Sequence, residues 1–141
     1  MDSYITYHDE IPDVETYFEL RSSVDWSVFC GEQSEKALNN SYYCVVAKDG
    51  DSTVAMGRVV GDGMYCDIVD VMVKPQYQGK KIGSTIINKL VERIDEGTPE
   101  GGKASIQLIA ASGKEGFYVK QGFTILPNED SGPALRKLIY K

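Results

Sequence analysis

Residues Gln78-Gly79-Lys80-Lys81-Ile82-Gly83-Ser84 join an apolar, strand-like run from Ile68 to Val73 to an amphipathic, helix-like run from Ile82 to Ile94. A glycine-bearing turn that opens a helix leaves backbone N–H groups unpaired at the positive end of the helix dipole, which suits it to a phosphate or another anion. Lys80 and Lys81, with Lys74 nearby, could add attraction at the rim. The same residues would equally serve a tight strand-to-helix turn with solvated lysines, because short glycine patterns often arise by chance. Neither G-x-x-x-x-G-K-[ST] nor a G-x-G-x-x-G after the first strand occurs, which argues against a nucleotide hydrolase or a dehydrogenase.

Two carboxylates, Asp67 and Asp70, lie on the strand-like run from Tyr65 to Val73. A carboxylate so placed could take a proton from an amine, directly or through water. Strand alternation puts the pair on opposite faces unless a bulge intervenes, and either could instead be a hydrogen-bonded structural group. Arg21, Trp26 and Phe29, with Tyr65, could recognise an apolar, aromatic or cationic body, or simply seal a loop onto the core. Phe117 and Tyr118 read on their own as core aromatics of a short helix. The single histidine, His8, disfavours a His-based triad or a zinc site. Cys30, Cys44 and Cys66 are widely spaced beside apolar stretches and read as reduced core thiols, so no metal is expected.

The elements that must position these groups follow from periodicity. Ser3 to Tyr7 could form an edge strand. Asp13 to Arg21 starts a helix after Pro12, with acids in the first turn, and Ser34 to Asn39 forms a second, separated from it by an aromatic segment suited to a lid. Strands are expected over Tyr42–Ala47, Thr53–Val60 and Tyr65–Val73, joined by Asp/Gly turns. Ile82, Ile86, Ile87, Leu90, Val91 and Ile94 give the long helix one apolar face. Beyond it come a strand from Ser105 to Ala110, a short helix from Lys114 to Lys120, and strands over Phe123–Leu126 and Leu135–Tyr140. The crossover from Ile68 through the long helix to Ser105 makes its two flanking strands parallel in an otherwise antiparallel sheet. The fold class is therefore mixed α/β, of the α+β kind, too irregular for a doubly wound dinucleotide fold.

At 141 residues, with 42% hydrophobic and 26% charged residues, one domain spanning residues 1–141 is expected. The net charge of −6 argues against nucleic acid as a partner and suits a cationic substrate. No apolar run approaches the ~20 residues of a membrane span and no secretory pattern opens the chain, so the expectation is a cytoplasmic protein without a membrane partner.

The run Asp70-Val71-Met72-Val73-Lys74-Pro75-Gln76-Tyr77-Gln78-Gly79-Lys80-Lys81-Ile82-Gly83, followed by Phe117-Tyr118-Val119-Lys120-Gln121-Gly122-Phe123, resembles the GNAT superfamily of acyl-CoA-dependent N-acyltransferases. The resemblance covers essentially the whole chain. It implies a mostly antiparallel sheet of six to seven strands, flanked by about four helices, with one parallel pair at the cofactor cleft. Its [Q/R]-x-x-G-x-[G/A] signature falls on Gln78, Gly79, Lys80, Lys81, Ile82 and Gly83. The turn through Ser84 would cradle the pyrophosphate of CoA, and the backbone of Val71, Met72 and Val73 would pair with the pantetheine arm. An N–H near Met72 would polarise the thioester carbonyl. Tyr118 matches the general acid that protonates the departing thiolate, and a phenol of pKa about 10 is protonated at neutral pH. Asp67 or Asp70 would be the base, and Arg21, Trp26, Phe29 and Tyr65 would recognise the acceptor.

Two positions depart from the pattern: Lys81 stands where the signature has its first glycine, and Ala111 where many members carry asparagine. The implied activity is transfer of an acetyl group from acetyl-CoA to a small primary amine by direct attack in a ternary complex. A homodimer is compatible with it. A non-catalytic acyl-CoA-binding regulatory module and an acetyltransferase acting on protein amines are the alternatives.

Overall fold

Asp13 caps the first helix by accepting a hydrogen bond from the Thr16 N–H at 2.8 Å, one of the orphan donors that a helix start leaves behind. The computed structural model describes residues 4–141, which form two compact units that divide between residues 109 and 110. In the first unit, strand β1 (Ile5–Asp9) precedes helices α1 (Val14–Ser23) and α2 (Gly31–Asn39). The edge strand thus begins two residues later than expected, and Ser3 lies outside the described residues. Strands β2 (Tyr43–Asp49), β3 (Ser52–Gly61) and β4 (Tyr65–Val73) follow, then a 3-10 turn over Pro75–Tyr77, helix α3 (Ile82–Gly97) and the short strand β5 (Ser105–Gln107).

The five strands lie in sequence order. The first four are antiparallel, and β5 runs parallel to β4, as the crossover through α3 requires. The β3–β4 turn needs its glycine: Gly61 has φ 138°, and a Cβ there would stand 2.0 Å from the Tyr65 carbonyl oxygen. Asp62 Oδ1 completes the turn by accepting the N–H groups of Met64 and Tyr65, each at 2.9 Å.

Side-chain alternation divides the core between the two sheet faces. On one face α3 buries Ile82, Ile86, Ile87, Leu90 and Ile94. It comes so close to β3 that a Cβ on Gly57 would lie 2.6 Å from Ile86 Cγ2. On the other face Tyr17, Leu20 and Leu38 of α1 and α2 pack on Cys44, Val46, Met56 and Met72. Each such aliphatic side chain contributes about 1.5–3 kcal/mol, so the two helical layers fix the sheet from both sides.

The second unit carries helix α4 (Glu115–Lys120). Phe117 and Tyr118 meet edge to face at 5.0 Å between ring centroids, and Tyr118 meets Phe123 in the same way at 6.1 Å. The expected strands over Phe123–Leu126 and Leu135–Tyr140 do not form, so among the described residues the sheet has five strands and not six to seven. Leu135, Leu138, Ile139 and Tyr140 are exposed, and Pro127 and Pro133 interrupt the backbone donors around them. Strand propensity without a partner edge does not make a strand. Cys44 and Cys66 are buried as expected, whereas Cys30, at the N-cap of α2, is exposed and is no core thiol.

Candidate active site

The turn from Gln78 to Ser84 is tied to the end of β4, where Gln78 Nε2 donates to the Val73 carbonyl at 2.9 Å. Gly79 and Lys81 both take left-handed backbone conformations, with φ 78° and 65°. The Lys81 carbonyl then accepts the N–H of Thr85 at 3.1 Å and its hydroxyl at 2.8 Å, which starts α3. The N–H groups of Gly79, Lys80, Lys81, Ile82 and Gly83 donate to no backbone carbonyl of the described residues. A row of bare amides at the start of a 16-residue helix is suited to an anion such as a phosphate group. Of the lysines around it, Lys74 is paired with Glu19 at 2.5 Å and Lys80 lies 5.4 Å from the Tyr77 ring centroid. The exposed Lys81 ammonium has no such partner among the described residues.

Strand β4 is irregular where it approaches this turn. Met56 faces Met72 and Arg58 faces Val69, so two steps along β3 are matched by three along β4. The extra residue is a β-bulge, and Asp70 within it has φ 55°. On the other edge, pairing with β5 stops at Asp67 and Gln107, leaving Ile68 to Val73 without a strand partner on that side among the described residues. Val71, Met72 and Val73 therefore offer backbone groups to an extended ligand. The bulge also answers the question of faces: Asp67 lies opposite Val60, which shares the Arg58 side of the sheet, and Asp70 binds Arg58.

The two carboxylates nevertheless differ sharply. Asp70 is nearly buried, with both oxygens engaged: Oδ1 takes Arg21 Nη1 at 2.9 Å, and Oδ2 takes Arg58 Nε at 2.7 Å and the Tyr17 hydroxyl at 2.8 Å. Desolvation first, and then the Asp70 charge, push the Tyr17 phenol above its ordinary value, so it remains a donor. Asp67 is exposed and lines a cavity of about 350 Å³ with Val60, Gly61, Asp62, Tyr65 and Gln107.

The residues expected to recognise an acceptor divide in two. Arg21, Trp26 and Phe29 come together: the buried Arg21 guanidinium stands 5.5 Å from the Trp26 ring centroid and 5.1 Å from that of Phe29, and its Nε donates to the Ser27 carbonyl at 2.5 Å. Phe29 is 55% exposed, so the loop between α1 and α2 presents an aromatic ring to solvent. Tyr65 belongs to the Asp67 cavity instead.

In the second unit, burial raises the Tyr118 phenol above its ordinary value of 10, which keeps it protonated at neutral pH. Ala111, in the same unit, brings no polar side chain. Burial likewise pushes the Cys44 thiol up to about 12, which suppresses its thiolate. Sequence reasoning missed Arg58 and Tyr17. An arginine inside the apolar run from Thr53 to Val60 was the available signal, since a buried guanidinium demands a carboxylate. Among the described residues no group of His, Cys, Asp and Glu side chains could hold a metal ion.

Comparison with known proteins adds the following. The acetyltransferase (GNAT) domain family matches residues 40–125. Serotonin N-acetyltransferase 2, chloroplastic, of Oryza sativa subsp. japonica is 31% identical over 108 residues, covering 73% of this chain and 52% of the rice protein. The chain thus spans about half the length of that curated relative. A crystal structure of a probable acetyltransferase from meticillin-resistant Staphylococcus aureus superposes with TM-score 0.84 at 34% identity, covering 96% of this chain and all (100%) of that one. A GNAT-family acetyltransferase of Streptococcus pneumoniae superposes with TM-score 0.80 at 29% identity, covering 96% and 98% of the two chains.

Proposed function

The chain belongs to the GNAT acetyltransferase family, and on that premise we propose that it transfers an acetyl group from acetyl-CoA to the primary amine of a small molecule, by direct attack in a ternary complex. The observation that carries this reading is the continuity of the bare amides from Gly79 to Gly83 with the unpaired edge of β4 from Ile68 to Val73. Gln78, Gly79, Lys80, Lys81, Ile82, Gly83 and Ser84 hold the pyrophosphate, and Val71, Met72 and Val73 hold the pantetheine arm. Acetyl-CoA, as co-substrate, supplies an acyl carbon activated by its thioester.

Asp67 is the base. It is the carboxylate with an open cavity beside it, whereas both Asp70 oxygens are already bonded to cationic or phenolic donors. Asp67 takes a proton from the acceptor ammonium and passes it to solvent, which frees the lone pair for attack; Tyr118 gives its phenolic proton to the departing thiolate, and the second proton shed by the nitrogen restores the phenol. Direct attack is favoured over an acyl-cysteine because Cys44 and Cys66 are buried, Cys44 with its thiol pushed up to about 12, and the exposed Cys30 does not line the Asp67 cavity. Tyr65 helps to line the acceptor cavity, and Trp26 and Phe29, held by Arg21, present the apolar wall of the lid. The acceptor is a small cationic amine with an apolar body, the protein works as one cytoplasmic domain over residues 1–141, and nucleic acid and membrane are not its partners. The aromatic lid makes serotonin, the acceptor named for the rice relative, the first amine to try.

Release of free thiol from acetyl-CoA across a panel of amines tests the proposal. We expect turnover with at least one aromatic or alkyl amine, and Tyr118→Phe should lower kcat about 10²-fold or more with acetyl-CoA affinity unchanged. Tight acetyl-CoA binding with no turnover on any small amine would defeat the assignment and leave the acyl-CoA-binding module. Unchanged turnover in Tyr118→Phe would remove Tyr118 from the acid role.

A further inference from the structure

We propose that Asp70 is a positioning residue that locks the β4 bulge to the acceptor lid. Through Asp70, Arg21 couples the loop from Val24 to Cys30 to the backbone of Val71 and Met72. The inference rests on the acetyl-transfer reading but reaches beyond it, because it assigns a task to a cluster that the chemistry itself does not use.

Three independent features converge on Asp70. Its backbone is left-handed at φ 55°, a conformation that is strained for a residue other than glycine and persists only when its surroundings over-determine it. It sits in the single extra residue that β4 carries opposite β3, immediately before the Val71–Val73 backbone. Its carboxylate, at 8% side-chain exposure, holds Arg21, Arg58 and Tyr17 at once. The strain is therefore held in place by two ion pairs and a phenolic hydrogen bond, all within the same compact unit.

Each partner of Asp70 anchors a different element. Tyr17 and Arg21 belong to α1, and Arg58 belongs to β3 and reaches Ser41 Oγ at 3.4 Å, beyond the end of α2. Arg21 extends the connection into the lid. The atoms that hold Asp70 are continuous with those that fix the lid loop, because the same guanidinium donates to the Ser27 carbonyl and lies beside Trp26 and Phe29. Removing the Asp70 charge would leave two buried guanidinium groups facing each other without their anion, and both the bulge and the lid would relax. The N–H groups beyond the bulge would then lose their fixed direction, and with it their ability to meet charge that develops on an acyl oxygen.

The test compares wild type, Asp70→Asn, Tyr17→Phe and Asp67→Asn. Backbone hydrogen exchange, which needs no turnover, should show faster exchange in Asp70→Asn at both residues 69–73 and residues 24–30. Unchanged exchange at either segment overturns the coupling. In steady-state assays Asp70→Asn should lose about 10- to 100-fold in kcat, with KM for acetyl-CoA unchanged. Asp67→Asn, which removes the proposed base, should lose turnover while leaving exchange at residues 69–73 and 24–30 at the wild-type rate. An Asp70→Asn protein with wild-type kcat, or an Asp67→Asn protein that loosens the same two segments, overturns the assignment. Should Asp70→Asn fail to fold, Tyr17→Phe removes one of the three bonds and leaves both ion pairs; the same pattern at smaller amplitude supports the proposal, and its absence overturns it. A wild-type protein inactive on every amine defeats the acetyl-transfer reading alone, and the exchange measurement then decides the clamp by itself.

Discussion

Lys81 stands at the N-cap of α3 with φ 65° and ψ 16°, where the family signature has a glycine. Its conformation is therefore the one a glycine would hold, and the lysine bears the steric cost. That cost is about 1–2 kcal/mol, partly offset because a glycine would lose roughly 0.5–1 kcal/mol more backbone freedom on folding. Lys81→Gly should therefore stabilise the fold by up to about 1 kcal/mol, read as a higher urea midpoint at unchanged slope. The same substitution removes an exposed cation from the row of bare amides. Acetyl-CoA affinity should fall a few-fold at low salt and converge with wild type at high salt, by the screening that governs exposed charges. A variant that is both less stable and unchanged in affinity would refute both halves. Strain kept at this position is then the counterpart of a charge that the amides alone do not provide.

The elements were legible in the sequence wherever a local signal decided them. Asp13 was expected in the first turn of α1 and is its N-cap; Tyr65–Val73 was expected as a strand and is β4; Ile82, Ile86, Ile87, Leu90 and Ile94 were expected on one face of α3 and are buried there. What was not legible depended on partners far along the chain. The β4 bulge is invisible in alternation alone, because the groups that meet at its carboxylate, Arg58, Tyr17 and Arg21, come from distant parts of the chain. Leu135–Tyr140 has strand-forming residues but no strand beside it. The capping carboxylate of Asp13 lends itself to a pH test. Hydrogen bonds from Thr16 hold it below its ordinary value of 3.8. A group whose folded value is depressed contributes stability above its unfolded value and loses it as pH falls through the folded one. Asp13→Ala should thus cost about 1 kcal/mol at pH 7 in urea unfolding, and the gap to wild type should close as the pH falls from the ordinary carboxylate value of 3.8 through the depressed one. A gap that persists undiminished at low pH would mean that packing, and not the charged cap, is what the substitution removes.

Across the whole molecule the charge is −6, carried by 21 acidic residues against 15 basic ones. Part of the basic charge is already spent, since Lys74 is neutralised by Glu19, and Arg21 and Arg58 are held by Asp70. The cavity at Asp67 also carries Asp62 in its wall, so the local field has the same sign as the global one. A cationic acceptor is accordingly drawn toward the protein over distances that exceed contact, and salt shortens that reach to about 10 Å at 0.1 M. The KM of a singly charged amine should therefore rise by about two- to threefold between roughly 20 mM and 300 mM salt. A zwitterionic analogue of the same amine, whose added carboxylate cancels the attraction, should show no such rise. Initial rates measured on both acceptors at saturating acetyl-CoA decide the matter, because the cofactor's own salt response then drops out. Equal salt responses would remove long-range attraction from the account and leave the contacts around Asp67 to select the acceptor alone.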